Sequence, residues 1–270
     1  MKKNYSIVIA GSFAVVLIVT TWHINRQVPT EVGKTQATTR VKPESVKITL
    51  PDASPIDPLP DDYKSPSSLW VIVNKALPLS QSNYRPDGLV KPPVATNQQK
   101  SIDEQSVRSD VVTPISDLFA AARSAGFDLM LASGFRSYEL QQTYFTNYAR
   151  LYGESEANMF SARPGQSEHQ TGLSFDVSLA SRVCYLEICF GDTPAGKWVA
   201  EHAHEYGFIL RYPSNKTEIT QYQYEPWHFR YVGKDLAAAL HTSELTLEEA
   251  APYIERAQME IRNRNESTAP

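Results

Sequence analysis

No cluster of lysine or arginine marks this chain of 270 residues, whose mixed charges sum to −4. Nucleic acid is therefore excluded as a partner, because phosphate neutralisation needs clustered basic side chains. The chain also lacks an H-E-x-x-H helix and a G-x-S-x-G elbow, two common signatures of hydrolases. No internal repeat and no βαβ periodicity appears, so the better fit is an α+β domain with a small antiparallel sheet flanked by helices. Cysteine is scarce: only Cys184 and Cys189 occur, within CYLEIC. A lone pair supplies two of the four ligands of a structural zinc site, so a metal is the weakest reading of them. A disulfide and two free thiols remain, and export to an oxidising compartment permits the disulfide.

Charge is missing altogether from Tyr5 to Trp22, 18 residues preceded by Lys2 and Lys3. A spanning helix needs roughly 17 to 25 apolar residues, and a signal-peptide core only about 7 to 15. No small-x-small cleavage site follows, so residues 1–27 read as an uncleaved signal anchor. A cleaved signal peptide, and hence a secreted protein, is the alternative. The lysines should stay cytoplasmic, which puts the rest of the chain outside a bacterial membrane. Residues 28–66 are rich in Pro, Thr, Ser and charge and poor in large apolar residues, as in an extracytoplasmic linker. Residues 67–270 are expected to form the domain, with 41% hydrophobic content over the whole chain sufficient for one core.

Periodicity predicts a helix over 107–125, with Pro114 marking a kink or a later start. FDLMLASGF follows as a strand, and a helix runs from Ser137 to Gly153. Residues 167–180 turn into a strand with Leu173, Phe175 and Val177 on one face and Ser174, Asp176 and Ser178 on the other. Asp176 should then face a cleft or solvent. A helix over 193–208, short strands at 209–213 and 226–233, and a terminal helix complete the layout. Thr246 and Glu249 are spaced as the capping box of that last helix.

The chemistry gathers in two stretches. In SEHQTGLSFD, His169 and Asp176 flank Gly172, a spacing that a structural Asp–His hydrogen bond would explain equally well. YEPWHFRYVG adds Glu225 and His228, with Trp227 and Phe229 on the opposite strand face directing His228 toward polar company. Two histidines and one carboxylate form a common catalytic zinc set with an open fourth position. Glu225 then suits the base that takes a proton from water.

SGFRSYELQ, PGQSEHQTGLSFD and YEPWHFRYVG, in this order, resemble the signatures of the VanY-type D-alanyl-D-alanine carboxypeptidases. These belong to the LAS group of zinc metallopeptidases. The likeness runs from about Trp70, through VNKALPL at Val73, to the C-terminal helix. It implies that His169, Asp176 and His228 hold Zn2+, that Glu225 is the base, and that Arg136 steadies the carbonyl under attack. Gln141 and Ser167 match positions expected at the carboxylate of a terminal D-alanine. The implied substrate is a peptidoglycan stem peptide ending in D-alanine. Ser174 departs from the family's usual alanine and is expected to hydrogen-bond a metal ligand.

Three other readings stand beside this one. An L,D-carboxypeptidase acting on tetrapeptide stems would use the same zinc site. A non-catalytic cell-wall binding module would lack a ligand or the base, and here all four are present. A serine hydrolase built on Ser167, His169 and Asp176 has poorly spaced partners. His202 and His204 lie two apart on a helix and face different ways, so they are no ligand pair. Tyr222 and Tyr224 read as packing residues.

Overall fold

The computed structural model describes residues 45–59 and 62–268. The expected anchor at 1–27 lies outside these residues, and among the described residues no helix is long and apolar enough to cross a membrane. Strand β1 (Leu89–Val90) pairs antiparallel with β2 (Val107–Arg108). Helix α1 (Val112–Ser124) starts later than 107 because Val107 and Arg108 are taken up by that pairing. Pro114 then falls in the first turn, where a missing N–H breaks no helical bond.

Strand β3 (Leu129–Ser133) leads to α2 (Tyr138–Tyr152), whose N-cap Ser137 accepts from the Leu140 amide at 3.2 Å. Helix α3 (Glu154–Phe160) follows Gly153, and a 3-10 turn over Glu168–Thr171 delivers the chain into β4 (Ser174–Leu179). Next come α4 (Pro194–His202), β5 (Phe208–Leu210), α5 (Thr217–Thr220) and β6 (His228–Tyr231). The expected helix over 193–208 is thus α4 continued by a 3-10 turn, Ala203–Tyr206. Helix α6 (Lys234–Ser243), an addition to the sequence-based layout, precedes α7 (Leu247–Thr268). The capping box at α7 forms in full: the Thr246 amide donates to Glu249 at 2.8 Å, and the Glu249 amide to Thr246 at 3.2 Å.

The main sheet is antiparallel, in the order β3-β4-β6-β5. Phe175 on β4 packs against Phe119 of α1, Phe208 of β5 and Phe229 of β6, so α1 and α4 cover this face. Leu173 and Val177 join the same core, as their alternation predicts. The polar face differs from expectation. Ser174 and Ser178 are fully buried and Asp176 is 5% exposed, because β4 is a central strand with chain packed over both faces. Cys184 and Cys189 are bridged, stapling the loop after β4.

A second core joins α6 and α7 to residues from the stretch expected to be linker. Ile48, Leu50 and Ile56 are buried there, with Ile48 and Ile56 bonded to each other through their main chains. Residues 48–56, expected within the linker over 28–66, thus belong to the folded domain; sparse apolar residues among prolines still suffice when a helix pair offers a ready-made groove. Ile48→Ala should lower stability by about 2–4 kcal/mol, read as a shifted urea midpoint. A midpoint equal to wild type would return this stretch to the linker.

Candidate active site

The register of the sheet assembles the site. Asp176 stands opposite Ser133 of β3 on one side and opposite His228 of β6 on the other. The turn before β4 adds His169, and Gly172 closes that turn at φ 70, a conformation that glycine adopts without strain. A Cβ at Gly134 would lie 2.2 Å from the Ser106 carbonyl oxygen, so only glycine lets this loop pass. The Gly134 carbonyl lies 2.7 Å from His169 Nδ1. A carbonyl only accepts, so Nδ1 carries the proton and Nε2 keeps its lone pair.

That lone pair points at Asp176: His169 Nε2 is 3.3 Å from Asp176 Oδ1, and His228 Nδ1 is 3.2 Å from the same oxygen. His169 Nε2 and Asp176 Oδ1 are buried and have no hydrogen-bond partner. The edge of a tetrahedron with metal–ligand bonds near 2.0–2.1 Å is about 3.3 Å, so these spacings match a zinc set. Among the described residues, ligand atoms of His169, Asp176 and His228 all lie within 4.8 Å of one another. The residues present fit a divalent metal. Glu225 lies beside them, its Oε2 3.8 Å from His228 Nδ1.

Electrostatics agree with this division of labour. Burial and the nearby Arg136 lower the pKa of His169 to about 4, so its imidazole is neutral. Burial alone would raise Asp176, but His169 and His228 hold it below the usual carboxylate range. Burial would lower His228, yet Asp176, Glu168 and Glu225 raise it to about 9, so three carboxylates call for positive charge at this point. Burial, aided by the Asp176 charge and opposed by His228, Arg136 and Lys75, raises Glu225 to about 7.

Glu168 is the residue that sequence reasoning missed. Its side chain is fully buried, with Oε1 accepting from Arg211 Nε and Arg230 Nη1, each at 2.8 Å. Its Oε2 accepts from Ser174 at 3.1 Å and lies 3.6 Å from His228 Nε2. Burial would raise the Glu168 pKa, but Arg211 and Arg230 override it and keep the group ionised. A carboxylate behind a ligating imidazole orients the ring and strengthens it as a donor. Ser174 thus bonds this carboxylate, not one of the three candidate ligands. The only signal in the sequence is an acidic residue next to His169 that has to fit inside a folded domain. Arg211 also donates to Glu248 of α7 at 2.8 Å, and Asn74, from VNKALPL, donates to Glu248 at 2.9 Å.

Above the metal position lies a small cavity whose wall includes Arg136, Gln141, Ser167, Tyr212, Tyr222 and Glu225. Arg136 Nη2 is 3.8 Å from Asp176 Oδ2, and Arg136 Nε has no hydrogen-bond partner. Gln141 and Ser167 are both buried. Gln141 Nε2 donates to the Ala162 carbonyl at 2.7 Å, and its Oε1 has no partner. Tyr222, expected to be a packing residue, also lines this cavity, with its hydroxyl unpartnered. Tyr224 packs outside it, against Gly191. The remaining histidines stay apart: His202 pairs with Glu205, and His204 stacks on His241.

Glu168→Gln should weaken divalent-metal binding by about 10–100-fold, measured by competition with a chromogenic chelator; unchanged affinity would limit Glu168 to a structural role. Glu248 gives a pH test away from the metal. Burial would raise its pKa, but Arg211 and Asn74 lower it in the fold. Its stabilisation is complete above the unfolded carboxylate value, about 4.3, and is lost as pH falls through the lower folded value. Denaturation midpoints of wild type should fall below about pH 4 more steeply than those of Glu248→Gln; parallel curves would contradict this linkage.

A family model described as VanY, D-alanyl-D-alanine carboxypeptidase, matches residues 104–234. YodJ of Bacillus subtilis (strain 168) is 42% identical over 198 residues, covering 73% of this chain and 72% of YodJ. Among solved structures, the LdcB LD-carboxypeptidase is similar at 43% identity and a TM-score of 0.66, covering 70% of this chain and 87% of LdcB. A vancomycin-resistance D,D-pentapeptidase VanY, solved in complex with Zn(II), is similar at 29% identity and a TM-score of 0.57. That match covers 67% of this chain and 98% of the other.

Proposed function

The chain belongs to the VanY family of D-alanyl-D-alanine carboxypeptidases, and we propose that it is a zinc-dependent hydrolase that removes the C-terminal D-alanine from peptidoglycan stem peptides. The observation that carries this reading is the convergence of ligand atoms of His169, Asp176 and His228 within 4.8 Å of one another, with Glu225 beside them. Zinc held by these three side chains supplies a Lewis acid and brings the pKa of a water to about 7.

The chain's own residues do the rest. Glu225, raised to about 7, takes a proton from the attacking water and returns it to the nitrogen of the departing D-alanine. Arg136, with Nε free to donate, meets the negative charge that builds on the carbonyl oxygen. Ser167 and the unpartnered Tyr222 hydroxyl supply donors for the carboxylate at the end of the peptide. The cavity is small and one wall is closed by α2 and the Phe160–Ala162 segment, which suits a chain end better than the middle of a peptide.

The second reading, L,D-cleavage of tetrapeptide stems, is favoured by one observation: the likeness to LdcB has higher identity and TM-score than that to the zinc-bound VanY. The uncharged segment from Tyr5 to Trp22 supports attachment to a bacterial membrane with the catalytic domain outside, and the disulfide is in keeping with export.

Released D-alanine, measured on pentapeptide and tetrapeptide stems with and without chelator, tests these readings. The expected result is chelator-sensitive release from the pentapeptide, reduced about 10²–10⁴-fold by Glu225→Ala. Release from the tetrapeptide alone would move the activity to the L,D-bond. No release from either by zinc-loaded protein would leave a binding module.

A further inference from the structure

Both chain neighbours of Glu225 press on one glycine. A Cβ built on Gly191 would lie 2.3 Å from the Tyr224 hydroxyl oxygen and 3.0 Å from Pro226 Cβ. Tyr224 precedes Glu225 and Pro226 follows it, so the main chain of Gly191 packs against the segment that carries this carboxylate. The same segment is held by the Glu225 amide, which donates to the Tyr212 carbonyl at 3.1 Å. Tyr224 can swing its hydroxyl aside. Proline's ring is closed onto its own backbone, so a push on Pro226 passes into the chain beside Glu225.

Gly191 belongs to a 3-10 turn, Ile188–Asp192, at the end of the loop stapled by Cys184 and Cys189. Phe190 anchors this turn, fully buried in the main core. The apolar residues beside the cysteines do not hold the loop down: Val183 and Ile188 are 56% and 52% exposed. Arg182, Cys184 and Leu186 all sit at positive φ, 60, 52 and 52. Non-glycine residues enter that region at a cost of about 1–3 kcal/mol each and stay there only where the surroundings hold them. Arg182 donates to Asn97 at 2.8 Å and Asn97 to Tyr185 at 2.9 Å, which ties down the first half of the loop. The disulfide ties the second half to the first.

We infer that this stapled loop is a positioning element for the catalytic base: the disulfide steadies the turn, and Gly191 in the turn steadies the chain on both sides of Glu225. The inference rests on the carboxypeptidase reading above. Among the described residues, the cavity wall includes Glu225 but no residue of 184–192. The loop therefore acts on proton transfer, through the place of one carboxylate, and leaves substrate and metal binding alone.

The test uses the full zinc-loaded chain. Gly191→Ala should lower kcat for D-alanine release about 10–100-fold, with KM and zinc affinity unchanged. Reduction of wild type is the second measurement, and it decides alone if that variant fails to fold. The reagent is a phosphine, because a dithiol would compete for zinc. The phosphine takes oxygen from one water and becomes its oxide, while the S–S bond accepts two electrons and, with two protons, becomes two thiols. Reduced wild type should lose kcat at least about tenfold at constant KM and regain it on reoxidation. Its Glu225 amide should exchange hydrogen with solvent faster than in the oxidised chain. Cys184→Ser combined with Cys189→Ser should match the reduced enzyme and ignore the phosphine.

Unchanged kcat in Gly191→Ala, or in fully reduced wild type, overturns the inference. So does a joint loss of kcat, substrate binding and zinc affinity, which a general loosening of the fold would produce. In each of these cases the activity of the oxidised enzyme stands. Oxidised wild type that binds zinc and cleaves no stem peptide overturns that activity, and the inference with it.

Discussion

The pairing of β4 with β6 is the constraint on which the site depends. Asp176 and His228 sit directly opposite each other across these strands, and a slip of one residue would turn one of the two into the hydrophobic core. What prevents the slip is on the other face. Phe175 and Phe229 are the next opposed pair, stacked with ring centroids 6.2 Å apart and buried under α1 and α4. Aromatic packing on one side of the sheet therefore holds the metal position on the other. His169 is tied to the same frame by the Gly134 carbonyl, which follows β3, so all three candidate ligands are referred to three adjacent strands.

The charge behind the site is the second constraint. Glu168 is an ionised carboxylate in the interior, a state that burial opposes strongly unless it is paired and bonded. Two arginines bond one of its oxygens, and Ser174 and His228 face the other. Arg230 comes from β6 and also donates to the Leu69 and Val71 carbonyls, while Arg211 reaches Glu248 at the start of α7. The same salt-bridge cluster thus ties the segment around Trp70 and the terminal helix to the back of His228. Far segments of the chain converge on one imidazole, which explains why the likeness to the family extends well beyond its three motifs.

How much of this could be read from the sequence depended on whether the signal was local. Alternation in LSFDV separated core from site face, because a strand's period of two is a local property. The capping box at Thr246 was legible for the same reason. His169, Asp176, His228 and Glu225 were found by chemistry and family likeness together, since the spacing of His169 and Asp176 alone fits a simple hydrogen bond. Glu168 was not legible: only tertiary contact reveals that Arg211 and Arg230 bury it. Ile48 and Ile56 escaped notice because a stretch with few apolar residues buries them only when α6 and α7 are in place. Gln141, expected at the substrate carboxylate, lines the cavity, and its amide donates to the Ala162 carbonyl, 21 residues away.

The choice between a D- and an L-configured residue on the acyl side of the bond follows from this layout. In the proposed reaction the metal position, Glu225 and Arg136 would act on the carbonyl and the water, and neither feature changes with configuration at the preceding carbon. Configuration exchanges a side chain for a hydrogen on the far side of that carbon, so only the cavity wall there can sense it. Discrimination by a misplaced methyl is worth about 1–3 kcal/mol, an amount that one side chain can supply. Tyr212 and Tyr222 line the cavity and stack with centroids 4.5 Å apart, and Tyr212 also packs against the His228 ring at 4.8 Å. The tyrosine pair lies outside the three motifs, on the segment that links β5 to β6. The metal position alone is therefore compatible with either bond, and a choice between them falls to the shape of the cavity wall beside it.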